Sequence, residues 1–318
     1  MSGDSSHDVT AQEACDIVGI GVSVWDSVFL VDVFPNRGTV VRANRRVEGI
    51  GGGVSVAIAT AARLGSTAAM VDSLGDDAAA HRIVTDLAAN GVQTRGISQI
   101  TGHSSSVASI WSDLKSNERT IVYSPGSASD SLRWSTAIEA LVLGAKVVHL
   151  NGRHARVCEV AIRLAREVGA KVSFDGGAHR YREEIIPMLT SSDIVIVAKE
   201  FAMSHYRNRD GAEDCPRLQR LTEFLMADLE CEIAGVTDGI NGSFLIQRDG
   251  DSLYQPAVET DRAVDTTGCG DTYHGGFLHA YVLGYQIDAA AELAARIASS
   301  NSQSMGALAF EPTKFTSP

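Results

Sequence analysis

From about residue 140 onward, short unbroken apolar runs alternate with stretches whose apolar residues recur at helical spacing, and this alternation restricts the fold more than any other feature. "KVVHL" (146–150), "KVSFD" (171–175), "DIVIVA" (193–198) and "EIAGVT" (232–237) read as strands. Between them Val157, Val160, Ala161, Leu164 and Val168 share one helical face, closed by Gly169, and Leu218, Leu221, Leu225 and Leu229 share another. Strands without polar alternation are buried on both faces, which implies a mostly parallel sheet with helices on both sides. Ligands of such sheets bind beyond the carboxyl ends of the strands, so Asp175, Ala198 to Glu200 and Thr237 stand where function is expected. The N-terminal half begins alike, with "DIVGIGVSVWD" as a strand and "VSVAIATAARLG" as a helix closed by Gly65. Residues 27–50 and 103–124 instead alternate polar with apolar and carry turn residues, as antiparallel strands do. They are expected to form a small sheet projecting from the main body.

A chain of 318 residues suits one large α/β domain or two smaller ones. Its formal net charge of −12 argues against non-specific nucleic-acid binding, which depends on neutralising phosphates. The five cysteines, at 15, 158, 215, 231 and 269, have no metal-site spacing and read as reduced thiols. Residues 1–13 are polar and acidic and read as a flexible tail, leaving 14–318 as a single domain. The apolar stretch from Ile17 to Phe34 contains Asp26 and Asp32, so no membrane span is expected there, and the expected location is the cytoplasm.

Chemistry concentrates in "DTTGCGDTYHGGF", Asp265 to Phe277. Tyr273, Phe277, Leu278 and Tyr281 have helical spacing, which places Gly268, Cys269 and Gly270 at the helix N-terminus. Free amide N–H groups and the positive dipole end there make an anion site, with Asp271 a carboxylate in the first turn. The alternative is an ordinary capped helix behind a glycine loop.

Four stretches, taken in order, resemble the PfkB (ribokinase-like) family of carbohydrate kinases over about residues 16 to 311. They are "GGGVSVAIATAARLG" (51–65), "SLGDDAAAHRIVTDLAANGVQT" (73–94), "VTDGINGS" (236–243) and "DTTGCGDTYHGGF" itself. "HLNGRHA" (149–155) and "VAKEFA" (197–202) look closest to the ketohexokinase and sulfofructose kinase branches. The resemblance implies a ribokinase-like α/β fold with a small antiparallel β lid, and an ATP- and Mg²⁺-dependent transfer of phosphate to a hydroxymethyl group of a sugar or sugar derivative. By the same resemblance Gly268, Cys269 and Gly270 form an anion hole for the transferred phosphate and Asp271 is the general base. A sugar hydroxyl is too weakly acidic to ionise at neutral pH, and the growing charge needs fixed donors. Cys269 is either a functional thiol or merely a small side chain at a crowded turn.

Thr237, Gly239 and Gly242 match the family's turn near the nucleotide, and Thr267 and Lys199 are assigned to the same ligand. Ala198 and Phe201 replace the family's usual Asn and Glu, so Glu200 stands in as a metal ligand, or else is a solvated charge at a strand end. Asp26, Gly52, Gly53 and Arg153 are assigned to the sugar, with Asp26 alternatively a turn residue and Arg153 alternatively a surface ion pair. Gly53 and Val56 stand where relatives carry asparagines, an exchange expected to leave room for a bulkier sugar. The C-terminal segment lacks the Gly-Gly pattern of a monovalent-cation site. Many relatives pair as homodimers through their lids, which points here to Val28, Leu30, Val40, Ile110 and Trp111. The rival readings are a nucleoside kinase of the same fold and a non-catalytic sugar-binding relative.

Overall fold

The computed structural model describes residues 15–113, 119–211 and 215–315. The expected tail (1–13) and residues 114–118 of the expected lid lie outside them. The chain runs through β1 (Ile17–Ile20), β2 (Val24–Val31), β3 (Arg45–Gly51), α1 (Gly53–Arg63), β4 (Ala68–Leu74), α2 (Ala78–Ala89) and β5 (Val92–Gln99). It continues with β6 (Ser106–Asp113), β7 (Arg119–Ser124), α3 (Thr136–Leu143), β8 (Val147–Leu150), α4 (Ala155–Glu167), β9 (Lys171–Gly176) and a short α5 (Ile186–Leu189). It closes with β10 (Ile194–Ala198), α6 (Lys199–Asp210), α7 (Leu218–Leu229), β11 (Ile233–Thr237), β12 (Ser243–Gln247), β13 (Ser252–Gln255), α8 (Cys269–Val282) and α9 (Ile287–Ser302).

The unbroken apolar runs do pair as parallel strands. The large sheet has the order β13-β12-β11-β10-β9-β8-β1-β4-β5, parallel from β11 to β5, with β12 and β13 added antiparallel. Side chains alternate between its faces. Val18 and Ile20 of β1 join the core under α3, α4, α6 and α7, while Ile17 joins the core under α1 and α8. From β1 the chain moves outward to β4 and β5, and from β8 it moves the other way to β9, β10 and β11. A crevice opens at the carboxyl ends of β1 and β8 where the order reverses.

The second sheet has the order β3-β2-β6-β7. Its outer pairs are antiparallel and its central pair, β2 with β6, is parallel, because two separate pieces of chain enter it in the same direction.

Three expectations need correction. "DIVGIGVSVWD" is not one strand: β1 ends at Ile20, and β2 belongs to the small sheet. At Gly21 an added Cβ would come within 2.6 Å of Val54 on α1, so the backbone passes hard against that helix as it leaves the large sheet. On α4 the buried face is Val157, Cys158, Ala161, Ile162 and Ala165, and Val168 is exposed, because the sheet lies about one position around the helix from the apolar stripe. Val28, Leu30 and Ile110 cannot pair lids, since they are buried beneath the small sheet beside Val22 and Met305. Val40 is exposed and Trp111 half-buried.

Candidate active site

Helix α8 begins behind Gly268, whose φ of 75° is left-handed and whose added Cβ would fall within the backbone of Ala307. Only glycine meets both conditions. No side chain caps this helix end. Thr272 N–H donates to Gly268 O at 2.8 Å, but the Gly270 and Asp271 N–H groups find no protein acceptor among the described residues. Two free donors at a positive dipole end suit an anion. The loop ahead of them is pinned: Asp265 Oδ1 accepts from Thr267 N at 3.0 Å and Thr267 Oγ1 at 2.7 Å, and its Oδ2 accepts from Gly306 N at 3.0 Å. Asn301 Nδ2 donates to Thr267 O at 3.0 Å. Thr267 therefore spends its hydroxyl on holding the loop. Burial pushes the Cys269 thiol up to about 12, so it stays protonated and acts as a small side chain.

Asp271 faces a cluster of charges over the first turn of α1. A Cβ on Gly53 would lie 2.9 Å from Asp271 Oδ1, 3.0 Å from Asp175 Oδ2 and 3.1 Å from Arg180 Nη1. Gly53 thus keeps a small space open between two carboxylates and a guanidinium. Burial, then the Asp175 charge, raises the proton affinity of Asp271, while Arg180, His274 and Arg119 pull the other way. Burial also opposes ionisation of Asp175, but His274 at 3.3 Å and Arg180 at 3.7 Å outweigh it and hold that carboxyl below its usual range. Behind them, His149 shares a hydrogen bond with Ser173 at 3.1 Å, and burial, then His274, pushes it down to about 3, so it is neutral. The room expected from Gly53 is thus bordered by Asp175 and Arg180, and Val56 is wholly buried within α1.

Asp26 reaches the same region from the small sheet. It is buried on the inner face of β2, and Gly51 has no side chain because the Asp26 carboxylate occupies the place of its Cβ. Burial, then the charges of Asp271 and Asp265, raises Asp26 to about 7. Gly52, with φ 91°, turns the chain into α1 against the carbonyl of Val22. From β7, Arg119 Nη1 donates to Thr266 Oγ1 at 2.8 Å, which brings the small sheet onto the anion loop.

The remaining candidates form two further groups. Lys199 Nζ donates to Asp238 Oδ2 at 2.8 Å, a contact that raises its proton affinity and joins α6 to the turn Thr237 to Gly242, where Gly239 and Gly242 both have positive φ. Glu200 is exposed in the first turn of α6. No group of three or more His, Cys, Asp or Glu among the described residues is arranged to hold a metal. Arg153 is exposed after β8, and burial, then the charges of Arg153 and Arg180, lowers the proton affinity of Arg182, with Glu184 alone opposing. Asp175 was legible as a strand end, but Arg180, Arg182, His149 and Arg119 had no local signal; His274 stood inside the glycine motif without an evident partner.

A family model described as pfkB family carbohydrate kinase matches residues 16–314. The chain is 25% identical over 279 residues to an ATP-dependent ribose-1-phosphate kinase of Halopiger xanaduensis, covering 87% of this chain and 88% of that one. It is 26% identical over 290 residues to a nucleoside kinase of Methanothermobacter thermautotrophicus, covering 89% and 88%. The structure of Arabidopsis thaliana ribokinase complexed with ribose and ATP superposes with a TM-score of 0.79 at 21% identity, over 94% of this chain and 97% of that one. With almost the whole described chain inside the family match, and the glycine loop and its carboxylate at the crevice of the fold, the protein belongs to the pfkB family of carbohydrate kinases.

Proposed function

We propose that this kinase transfers the γ-phosphate of ATP to a hydroxymethyl group of a sugar or sugar derivative, with Asp271 as the general base. One observation carries the reading. A carboxylate of raised proton affinity stands in the first turn of a helix whose Gly270 and Asp271 amides are free. With its proton affinity raised by burial and by the Asp175 charge, such a group is a better acceptor for the hydroxyl proton than a solvated carboxylate and stays close to two fixed donors. Gly268, Cys269 and Gly270 shape the turn that exposes those donors, and Asp26, Gly52, Gly53 and Arg153 border the acceptor.

The residues present fit a nucleotide: Lys199 supplies a cation beside the glycine turn Thr237 to Gly242, and Thr267 fixes the loop between that turn and Asp271. Bound there, ATP supplies the phosphoryl group and Mg²⁺ offsets its charge. With no metal-holding group of carboxylates among the described residues, Mg²⁺ is expected to arrive on the nucleotide's own phosphates, with Glu200 at most an outer partner. The small sheet acts as a lid that excludes water, a competing acceptor, and draws Arg119 to the anion loop. The reading places the protein in the cytoplasm, where ATP is available; no helix among the described residues is long and apolar enough to cross a membrane. Pairing of lids into a homodimer would rest on outward residues such as Trp111 and Val122, and Val122→Glu should then shift the size-exclusion volume to that of a monomer.

The deciding experiment measures ADP release across ketoses, aldoses, sugar acids and nucleosides. Turnover with a sugar or sugar derivative supports the proposal. A preference confined to nucleosides replaces it with the nucleoside-kinase reading, and no turnover with any acceptor favours a non-catalytic sugar-binding protein.

A further inference from the structure

Three arginines gather at the carboxyl ends of β8 and β9, and the proton-transfer chemistry does not account for all of them. Arg182 donates to the carbonyl of Gly152, next to Arg153, and to the carbonyl of Arg180 at 3.4 Å. Both acceptors are uncharged. Arg180 has a carboxylate within ion-pair distance, Asp175 at 3.7 Å, and that carboxylate also serves His274. Arg153 and Arg182 have none among the described residues. The loop that carries Arg180 and Arg182 is anchored, because the Tyr181 ring packs edge-on against Phe201 and His205, with centroids 5.4 and 5.6 Å apart. Two residues before Arg153, Asn151 Oδ1 is buried without a partner among the described residues.

Like charges brought together on a pinned loop repel, and in a chain of net charge −12 this crowding runs against the overall balance. An oxyanion relieves it, since guanidinium groups present planar forks of donors to phosphate, sulfonate or carboxylate. The position is informative. Arg180 Nη1 and Asp271 Oδ1 lie 3.1 and 2.9 Å from the same point above Gly53, so an acceptor hydroxyl against Asp271 leaves the rest of the molecule to extend past Arg180 toward Arg182 and Arg153. We infer, resting on the kinase reading above, that Arg153, Arg180 and Arg182 form a subsite for an oxyanion carried by the acceptor itself, away from the hydroxyl that is phosphorylated.

The test compares kcat/KM for matched acceptors that all keep a hydroxymethyl group: ribose with ribose 1-phosphate, fructose with its 6-sulfonate, and glucose with gluconate. At least one charged member should exceed its neutral partner by about tenfold or more, and the pair that does so identifies phosphate, sulfonate or carboxylate. Arg182→Gln and Arg153→Gln should each raise KM for that member by about ten- to hundredfold, with KM for ATP shifting less than about twofold. Arg153→Gln leaves the hydrogen bonds of the Arg182 loop intact, so it remains informative if Arg182→Gln does not fold. Neutral acceptors winning every pair, with ADP still released, overturns the subsite and leaves the kinase reading standing. A rise in KM for ATP instead of the acceptor also overturns it, by assigning the arginines to the nucleotide. Absence of ADP release with every acceptor overturns the kinase reading itself.

Discussion

In the large sheet every residue of β1, β4 and β8 is buried, whereas in the small sheet β7 is exposed along its whole length. The two sheets meet at the candidate active site and contribute to it on different terms. The large sheet and the helices over it hold Asp175, His274 and Asp271 on elements locked by packing on both faces. The small sheet brings Asp26 on β2 and Arg119 on β7, with only a small apolar cluster to hold it down. An element with little buried area opens at low free-energy cost. The contrast suggests a division of labour, in which one sheet sets where the chemistry occurs and the other sets when the site is closed.

The largest effect should come from the fixed side. Asp271→Asn keeps the shape and removes the proposed proton acceptor, so kcat should fall roughly 10²–10⁴-fold. Calorimetry should still show ATP binding, and a near-normal kcat would remove Asp271 from its role. Next comes a direct contrast in stability. Ile194→Ala, at 0% exposure in β10, should cost about 2–5 kcal/mol in urea unfolding. Ile121→Ala, at 50% exposure in β7, should stay within about 0.5 kcal/mol. Equal losses in the two variants would erase the distinction between the sheets.

Asp26 sharpens the comparison because its burial favours function over stability. Its proton affinity is raised in the folded chain, to about 7 from 3.8, so the folded state holds the proton more tightly than the unfolded one. The resulting stability is complete below the unfolded value and is lost as pH rises through the folded one. Asp26→Asn should therefore stabilise the protein at pH 8 by up to about 4 kcal/mol and much less near pH 4, while raising KM for the acceptor. The same gain at both pH values would mean that burial of the charge is not the cause. The smallest effect is expected on the lid. Arg119→Ala should lower kcat/KM by about ten- to hundredfold through loss of its charge and its bond to Thr266. The unfolding midpoint should hardly move. A destabilised variant with normal kcat/KM would make Arg119 a structural clasp.

Much of this was legible locally. The anion loop could be read from two glycines ahead of a helical repeat, because the free amides at a helix N-terminus follow from backbone geometry alone. The strand ends at Asp175, Ala198 and Thr237 could be read because buried parallel strands leave unbroken apolar runs. Asp26 was legible as an acid among apolar residues, but not its sheet, since the break at Gly21 depends on contact with Val54 of α1. Arg180 sits in an irregular loop with no periodicity to mark it, and its meeting with Asp271 depends on the end of β9 and the first turns of α1 and α8 reaching one point.

The sequence by itself determined the α/β class, the buried strands from residue 146 to 237, the helix N-terminus at Gly268 and the carboxylate beside it, all of which depend on residues within a few positions of one another. Only the tertiary structure decided that Asp175, Arg180 and Asp271 border one small space over Gly53, that Asp26 and Arg119 reach it from a second sheet, and that Arg153 stands beside Arg182. Those encounters join residues far apart in the chain. They are set by strand order and crossover, which place distant segments at one crevice without leaving a pattern in either of them.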